Sequence, residues 1–251
     1  MGKADLHIHS TYSFDSSATV PAILDWAACS TSLDVIAITD HDQIDGALLA
    51  RDHAAEYGIE VIPGIEITTT GGHLVALFVE QLVPAGLSFH ETVLRVAEQG
   101  GICIAAHPYG FLAHGVTDEI VQETLQDPDA ARALVGIEAI NSGLFVLKSN
   151  RRAQKLVDAV KLAPVGSSDS HVFWTIGFGY TEFAGSTADD LRRALLAHQT
   201  RACQLFERHT LGYYAGHIFY RAMRQLGWVT WSPQPNSDLV MRRLSKVHAG
   251  S

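Results

Sequence analysis

The sequence predicts an α/β fold organised around parallel strands. Short β-type runs alternate with helix-type segments over most of its 251 residues, the mark of repeated βα units. A hydrophobic content of 47% is enough for one large core. One connection, inside EVIPGIEITTTGGHLVALFV, is too short for a parallel crossover, and a hairpin is expected there.

The elements follow in order. DLHIHS reads as the first strand and leads to PAILDWAACS, a helix with Thr19 as N-cap and Pro21 in its first turn. VIAITD is the second strand, followed by the helix GALLARDHAAEYG, which Gly58 stops. After the hairpin, SFHETVLRVAEQG reads as a helix ending at Gly100. ICIAAHP, LVGIEAIN and APVGSSDS are further strands, interleaved with the helical segments DEIVQETLQ, NRRAQKLVDAV and TADDLRRALLAH. Strands are expected to cease near Leu205. Beyond it, Leu211, Tyr214, Ile218, Ala222 and Leu226 form the apolar stripe of one docked helix, with an irregular tail after Trp231. The expected organisation is a catalytic unit over residues 1–204 and a C-terminal helical extension over 205–251.

Composition excludes some function classes. A net charge of −9 argues against a broad nucleic-acid footprint, since such proteins usually present a basic face. Cys29, Cys103 and Cys203 are widely separated, so neither a disulfide framework nor a thiolate zinc site is expected, and a reducing cytoplasm fits best. Apolar runs such as LVALFV are too short to span a bilayer, which leads to the expectation of a soluble protein without a membrane partner. IGFGYTEF lacks the third glycine of a dinucleotide loop, HETVL is not a zincin helix, and no nucleophile elbow or Walker loop is present.

Residues two apart share a strand face. On that rule Asp5, His7 and His9 lie together, as do Ala37, Thr39 and His41; Ile62, Gly64 and Glu66; Cys103, Ala105 and His107; and Val165, Ser167, Asp169 and His171. Five strands thus carry a metal-type ligand at their C-terminal ends, where parallel barrels and open α/β sheets place their sites. Any one such histidine is most simply a satisfied core or surface residue; their collection at one end favours a metal site. Imidazoles and carboxylates without thiolates suit zinc, manganese or iron. So many ligands exceed the need of one ion, and two ions about 3.5–4 Å apart that share a hydroxide are suited to displacement at phosphorus.

Together, DLHIHS with Asp15, ITDHD around His41, PGIE ending in Glu66, AAHP with His107, and GSSDSH with Asp169 and His171 resemble the polymerase-and-histidinol-phosphatase (PHP) family. The likeness runs in order over about the first two hundred residues. It implies a distorted (β/α)7 barrel, two or three divalent ions (Zn, Mn or Fe) and phosphoester hydrolysis by metal-bound hydroxide. It further implies that His7, His9, Glu66 and Asp169 hold one ion, that Glu66 and His107 share a second, and that Asp15, His41 and His171 hold a third. Family members often donate a further His or Cys after the strand that here reads LVGIEAIN; this chain offers Glu138 and Asn141, and Asn141 is the expected weak ligand, water-binding group or substrate contact.

Other positions carry two readings each. Asp40 and Asp42 either orient a ligand imidazole or, for Asp42, cap a helix. Asp5 is an outer partner or a floor hydrogen bonder. His73, brought near Glu66 by the hairpin, is the candidate for contact with phosphate or leaving group. Arg151, with Lys148 and Arg152, either clamps a phosphate or belongs to a solvated helix face, and His114 stands in a loop over the site. The expected substrate is a small phosphorylated metabolite or nucleotide. The competing readings are a nuclease acting on nucleic-acid ends and a non-catalytic metal-binding module.

Overall fold

The computed structural model describes residues 1–110, 115–143 and 147–205, with Phe219 and Met223. Nine strands form one sheet in the order β7-β6-β5-β4-β3-β2-β1-β8-β9. Strands β1 (Gly2–Asp5), β2 (Val35–Ile38) and β3 (Glu60–Thr69) run parallel, with α1 (Val20–Ser30) and α2 (Asp45–Tyr57) as crossovers. β4 (Gly72–Leu77) returns antiparallel through the tight turn between Thr69 and Gly72, as the short connection requires. α3 (Phe89–Glu98) leads to β5 (Ile102–Ala105), which pairs antiparallel with β4. Two short helices, α4 (Asp118–Thr124) and α5 (Pro128–Ala133), precede β6 (Leu134–Asn141). Then α6 (Leu147–Val160) connects to β7 (Ala163–Ser167), and β5, β6 and β7 are parallel.

Two strands were not legible as such. IGFGYTEF contains β8 (Gly179–Phe183), antiparallel to β1, and after α7 (Ala188–Leu196) the edge strand β9 (Arg201–Gln204) pairs with β8. Its glycines and paired aromatics hide the alternation that marks a strand. Helix ends obey local chemistry: the Thr19 hydroxyl accepts from the Ala22 N–H, and Gly58 and Gly100 take φ of 66° and 74°, open to glycine at little cost.

The sheet curls into a nearly closed barrel. Ala4, Leu6, Ala37, Ile62, Leu77, Ile104 and Val165 meet in one buried cluster, and Leu191 and Leu195 of α7 join it; these are the inward residues, with α7 covering one end. The outward faces pack under α1 and α2 on one side and α3 to α6 on the other. Closure is made by hydrogen bonds: the His9 N–H donates to the Ser170 carbonyl (2.8 Å), and Gly166 exchanges bonds with the Thr181 hydroxyl. Asp5 belongs to this seam. Its carboxylate accepts from the Ser168 N–H (3.0 Å) and the Gly177 N–H (2.8 Å), and burial raises its pKa to about 6. Of its two readings, the hydrogen bonder is the one observed.

Among the described residues no helix is long and apolar enough to cross a membrane. The expected C-terminal helix and tail, and His114, lie outside the described residues apart from Phe219 and Met223.

Candidate metal centre

The strand ends converge on Glu66. Its Oε1 lies 2.8 Å from His73 Nδ1 and 2.8 Å from His107 Nε2. Its Oε2 lies 3.1 Å from His7 Nε2, 3.3 Å from His9 Nε2 and 3.0 Å from His41 Nδ1. Asp169 Oδ1 faces the same pair, 3.2 Å from His9 Nε2 and 3.6 Å from His7 Nε2. Asp15 Oδ2 sits between His171 Nε2 (3.2 Å) and His41 Nε2 (3.4 Å). The residues fall into overlapping groups with metal-ligand spacing: His9, Asp15, His41 and His171; His7, His9 and Glu66; His7, His107 and Asp169; and His41, Glu66 and His73.

Backbone geometry explains how each side chain arrives. β3 is regular, so Ile62 points inward two turns of the pleat before Glu66, and the bridge between His41 and Glu66 sets the second strand end beside it. The fifth strand departs from the expected parity. Cys103 and Ala105 pack outward and Ile102, Ile104 and Ala106 inward; His107 reaches the site because its own φ is +25°. Asp169 likewise has φ +53°. Non-glycine residues in that region are costly and gather at functional sites.

Outer contacts fix the imidazoles. Ser13 Oγ donates to Asp40 Oδ1 (2.8 Å), so it accepts from His9 Nδ1 (3.1 Å) and from the His41 N–H (3.0 Å). Asp40 therefore orients His9 through a serine, and it also accepts from the Ser10 N–H and hydroxyl. His7 Nδ1 donates to Glu138 Oε1 at 2.8 Å, and Glu138 Oε2 accepts the His107 N–H at 2.7 Å. Both proton placements turn Nε2 lone pairs toward the cluster.

Sequence reasoning named Glu138 but gave the site role to Asn141, because a regular strand puts the two on opposite faces. A register shift between Glu138 and Ile140 brings both to the site. Asn141 Oδ1 accepts the Gly143 N–H (2.8 Å), while Nδ2 donates to Glu138 Oε2 (3.2 Å) and Asp169 Oδ2 (3.1 Å). Asp42 accepts the Thr68 N–H and so pins β3. Arg151 is exposed on α6, and no hydrogen bond or ion pair joins it to the cluster among the described residues. Its neighbour Arg152 stacks on the Tyr109 ring at 3.8 Å.

These residues fit divalent cations. His7 Nε2, His9 Nε2 and Glu66 Oε2 are buried without a hydrogen-bond partner although they crowd within 3.3 Å, an arrangement of mutually facing lone pairs that a cation relieves. Burial and the neighbouring His171 lower the His9 pKa to about 3, which keeps it neutral as a ligand must be. Burial opposes charge on Glu66 and Asp169, yet His7 and the other imidazoles hold both carboxylates well below their usual range. Burial likewise opposes charge on His41, but Asp15 and Glu66 raise it to about 10. The cluster thus demands positive charge.

A near-closed α/β barrel with overlapping His/Asp/Glu clusters of metal-ligand spacing at its strand ends defines a metal-dependent hydrolase class. A family model described as PHP-associated matches residues 148–200. An uncharacterised protein of Methanocaldococcus jannaschii is 39% identical over 127 residues, covering 47% of this chain and 74% of its own. A 3′,5′-nucleoside bisphosphate phosphatase of Chromobacterium violaceum is 35% identical over 114 residues, 42% of this chain and 39% of its own. In three dimensions the chain is similar to a two-domain Bacteroides vulgatus protein containing a PHP-like metal-dependent phosphoesterase. There the TM-score is 0.65 at 22% identity, over 80% of this chain and 64% of that one. The chain thus carries a PHP-associated segment and shares the fold of PHP-like structures.

Proposed function

We propose that the protein hydrolyses a phosphoester of a small metabolite or nucleotide with two or three bound Zn, Mn or Fe ions. The observation that carries this is the double-sided Glu66 carboxylate, with two imidazoles on Oε1 and three on Oε2, the arrangement of a bridging ligand. His7, His9, Glu66 and Asp169 are assigned to one ion, Glu66 and His107 to a second, and Asp15, His41 and His171 to a third. Bound there, such ions supply Lewis acidity and water activation.

The chain's own groups do the rest. Glu138 and the Ser13–Asp40 pair hold His7 and His9 with Nε2 forward. His73, fixed through Nδ1 by Glu66, is assigned to contact phosphate or leaving oxygen and to pass a proton there. Arg151 is assigned an outer phosphate contact. The barrel end behind the cluster is filled with apolar side chains, which keeps bulk water to one side.

The test is a metal-reconstituted protein offered a panel of phosphomonoesters and diesters. Phosphate or alcohol release is expected, and His9→Ala and Asp169→Asn should lose far more than the about 10–100-fold typical of outer-shell changes. Wild-type activity in either variant removes the cluster from the mechanism. A nuclease reading draws on the cationic first turns of α6, where Lys148, Arg151, Arg152 and Lys155 are all exposed. Oligonucleotide binding with a steep salt dependence would favour it over the small substrate.

A further inference from the structure

Asp169 and His171 lie beyond the end of β7, in the segment 168–177 that leads through a short turn at Phe173–Thr175 to β8. Asp169 has φ +53°, a conformation that costs free energy and persists only where its surroundings hold it. One carboxylate holds both ends of this segment. Asp5 Oδ1 accepts the Ser168 N–H at 3.0 Å, and Asp5 Oδ2 accepts the Gly177 N–H at 2.8 Å. Between them, the Ser170 N–H donates to the His7 carbonyl (3.3 Å) and the Ser170 carbonyl accepts the His9 N–H (2.8 Å). The loop that carries two site residues is thus fastened to the stretch of chain that carries two others.

Asp5 is fully buried, and among the described residues no ion pair neutralises it. Burying an unpaired carboxylate is costly. The same seam is closed elsewhere by a neutral group: the Thr181 hydroxyl accepts the Gly166 N–H (3.0 Å) and donates to the Gly166 carbonyl (2.9 Å). Barrel closure alone therefore does not call for a charge. Two features of position 5 do. Both partners there are N–H donors, which a carboxylate accepts through its two oxygens, whereas an asparagine would turn an amide N–H toward one of them. Position 5 also stands two residues before His7, beside a cluster whose cations would offset its charge.

We infer that Asp5 is a positioning residue of the metal centre: a clip that closes the 168–177 loop onto the first strand, so that Asp169 and His171 already face the cluster when the ions arrive. It acts through the loop and not on an ion or a substrate. This rests on the metal-dependent phosphoesterase reading above and goes beyond it by making metal affinity depend on a residue outside the ligand set. A ligand loop ordered in advance spends no binding free energy on being ordered.

The test compares two ways of loosening one seam. Asp5→Asn keeps the side-chain shape and removes one acceptor from the loop ends; Thr181→Val removes the neutral contact and leaves the loop ends bonded. Both should lower the melting temperature of metal-free protein. Calorimetric titration with manganese and with zinc, made well below either transition, should show Asp5→Asn binding metal about 10–100-fold more weakly than wild type and Thr181→Val binding close to wild type. Asp5→Ser repeats the measurement if the asparagine variant does not fold. Wild-type affinity in the position-5 variant, or a loss matched by Thr181→Val, overturns the clip and leaves the metal centre standing. Wild-type protein that binds neither ion overturns the centre and the clip with it. Weaker binding confined to position 5, in a protein whose loaded wild type releases no phosphate or alcohol from the ester panel, keeps the clip and overturns the phosphoesterase reading.

Discussion

Asn141 illustrates how one side chain governs several others. Its amide nitrogen bridges Glu138 and Asp169, its oxygen is occupied by the Gly143 N–H, and its backbone is paired with the Asn150 side chain through bonds of 3.2 and 2.9 Å. Asp169 is thereby fixed through Oδ2 while Oδ1 faces His7 and His9, and Glu138 is fixed while its other oxygen holds His7. Loss of this amide leaves the buried Glu138 carboxylate and the half-buried Asp169 carboxylate short of a donor. Asn141→Ala should weaken metal binding by about 10–100-fold, as outer-shell changes do, with the fold retained. Chelator competition measures it. Asn141→Asp should be worse, because a third carboxylate then faces the other two at close range.

At the scale of single elements, legibility tracked regularity. β2 and β3 keep a strict two-residue period, so His41 and Glu66 could be read to the correct face from Ala37 and Ile62. The first strand ends at Asp5, and Leu6 and His7 both turn toward the interior side, so strict alternation gave Asp5 the wrong company. In β5 the parity was inverted and His107 reached the site only by its positive φ; in β6 a register shift hid Glu138. Residue types announced the chemistry at these places, but no period could announce a kink. β3 offers a direct test of regular packing. A Cβ on Gly64 would lie 2.7 Å from the Ala76 carbonyl oxygen and 2.9 Å from Thr39 Cγ2, backbone on one side and a buried strand on the other. Gly64→Ala should destabilise the protein by about 1–3 kcal/mol and displace Glu66 two residues on. Thermal unfolding of metal-free protein reads the first effect, and metal stoichiometry the second.

Across the whole molecule, the centre joins the two halves of the sheet. His7, His9 and Asp15 follow β1, His41 follows β2, Glu66 and His73 belong to the hairpin, His107 follows β5, and Asp169 and His171 follow β7 at the seam. Ions held by the ligands among these would act as a clamp on barrel closure, since ligands that bind only the folded state stabilise it by mass action. Metal loading should therefore raise the melting temperature, and a chelator should reverse the rise. The pH sense follows from competition for the same lone pairs: imidazoles must be neutral to bind, so protons displace metal over an acid interval set by the coupled imidazoles of the cluster and not by the free histidine value. The gap in melting temperature between loaded and stripped protein should narrow over that interval. In the stripped protein the carboxylates of Glu66 and Asp169 are held below their ordinary range. Their depressed folded pKa values mean that this part of the stability is present above about pH 4 and lost only as pH falls further. Two separate acid transitions are expected in loaded protein, metal release first and unfolding below it. Metal content and ellipticity followed along one acid titration measure both, and a single coincident transition would show that the ions do not leave before the barrel opens.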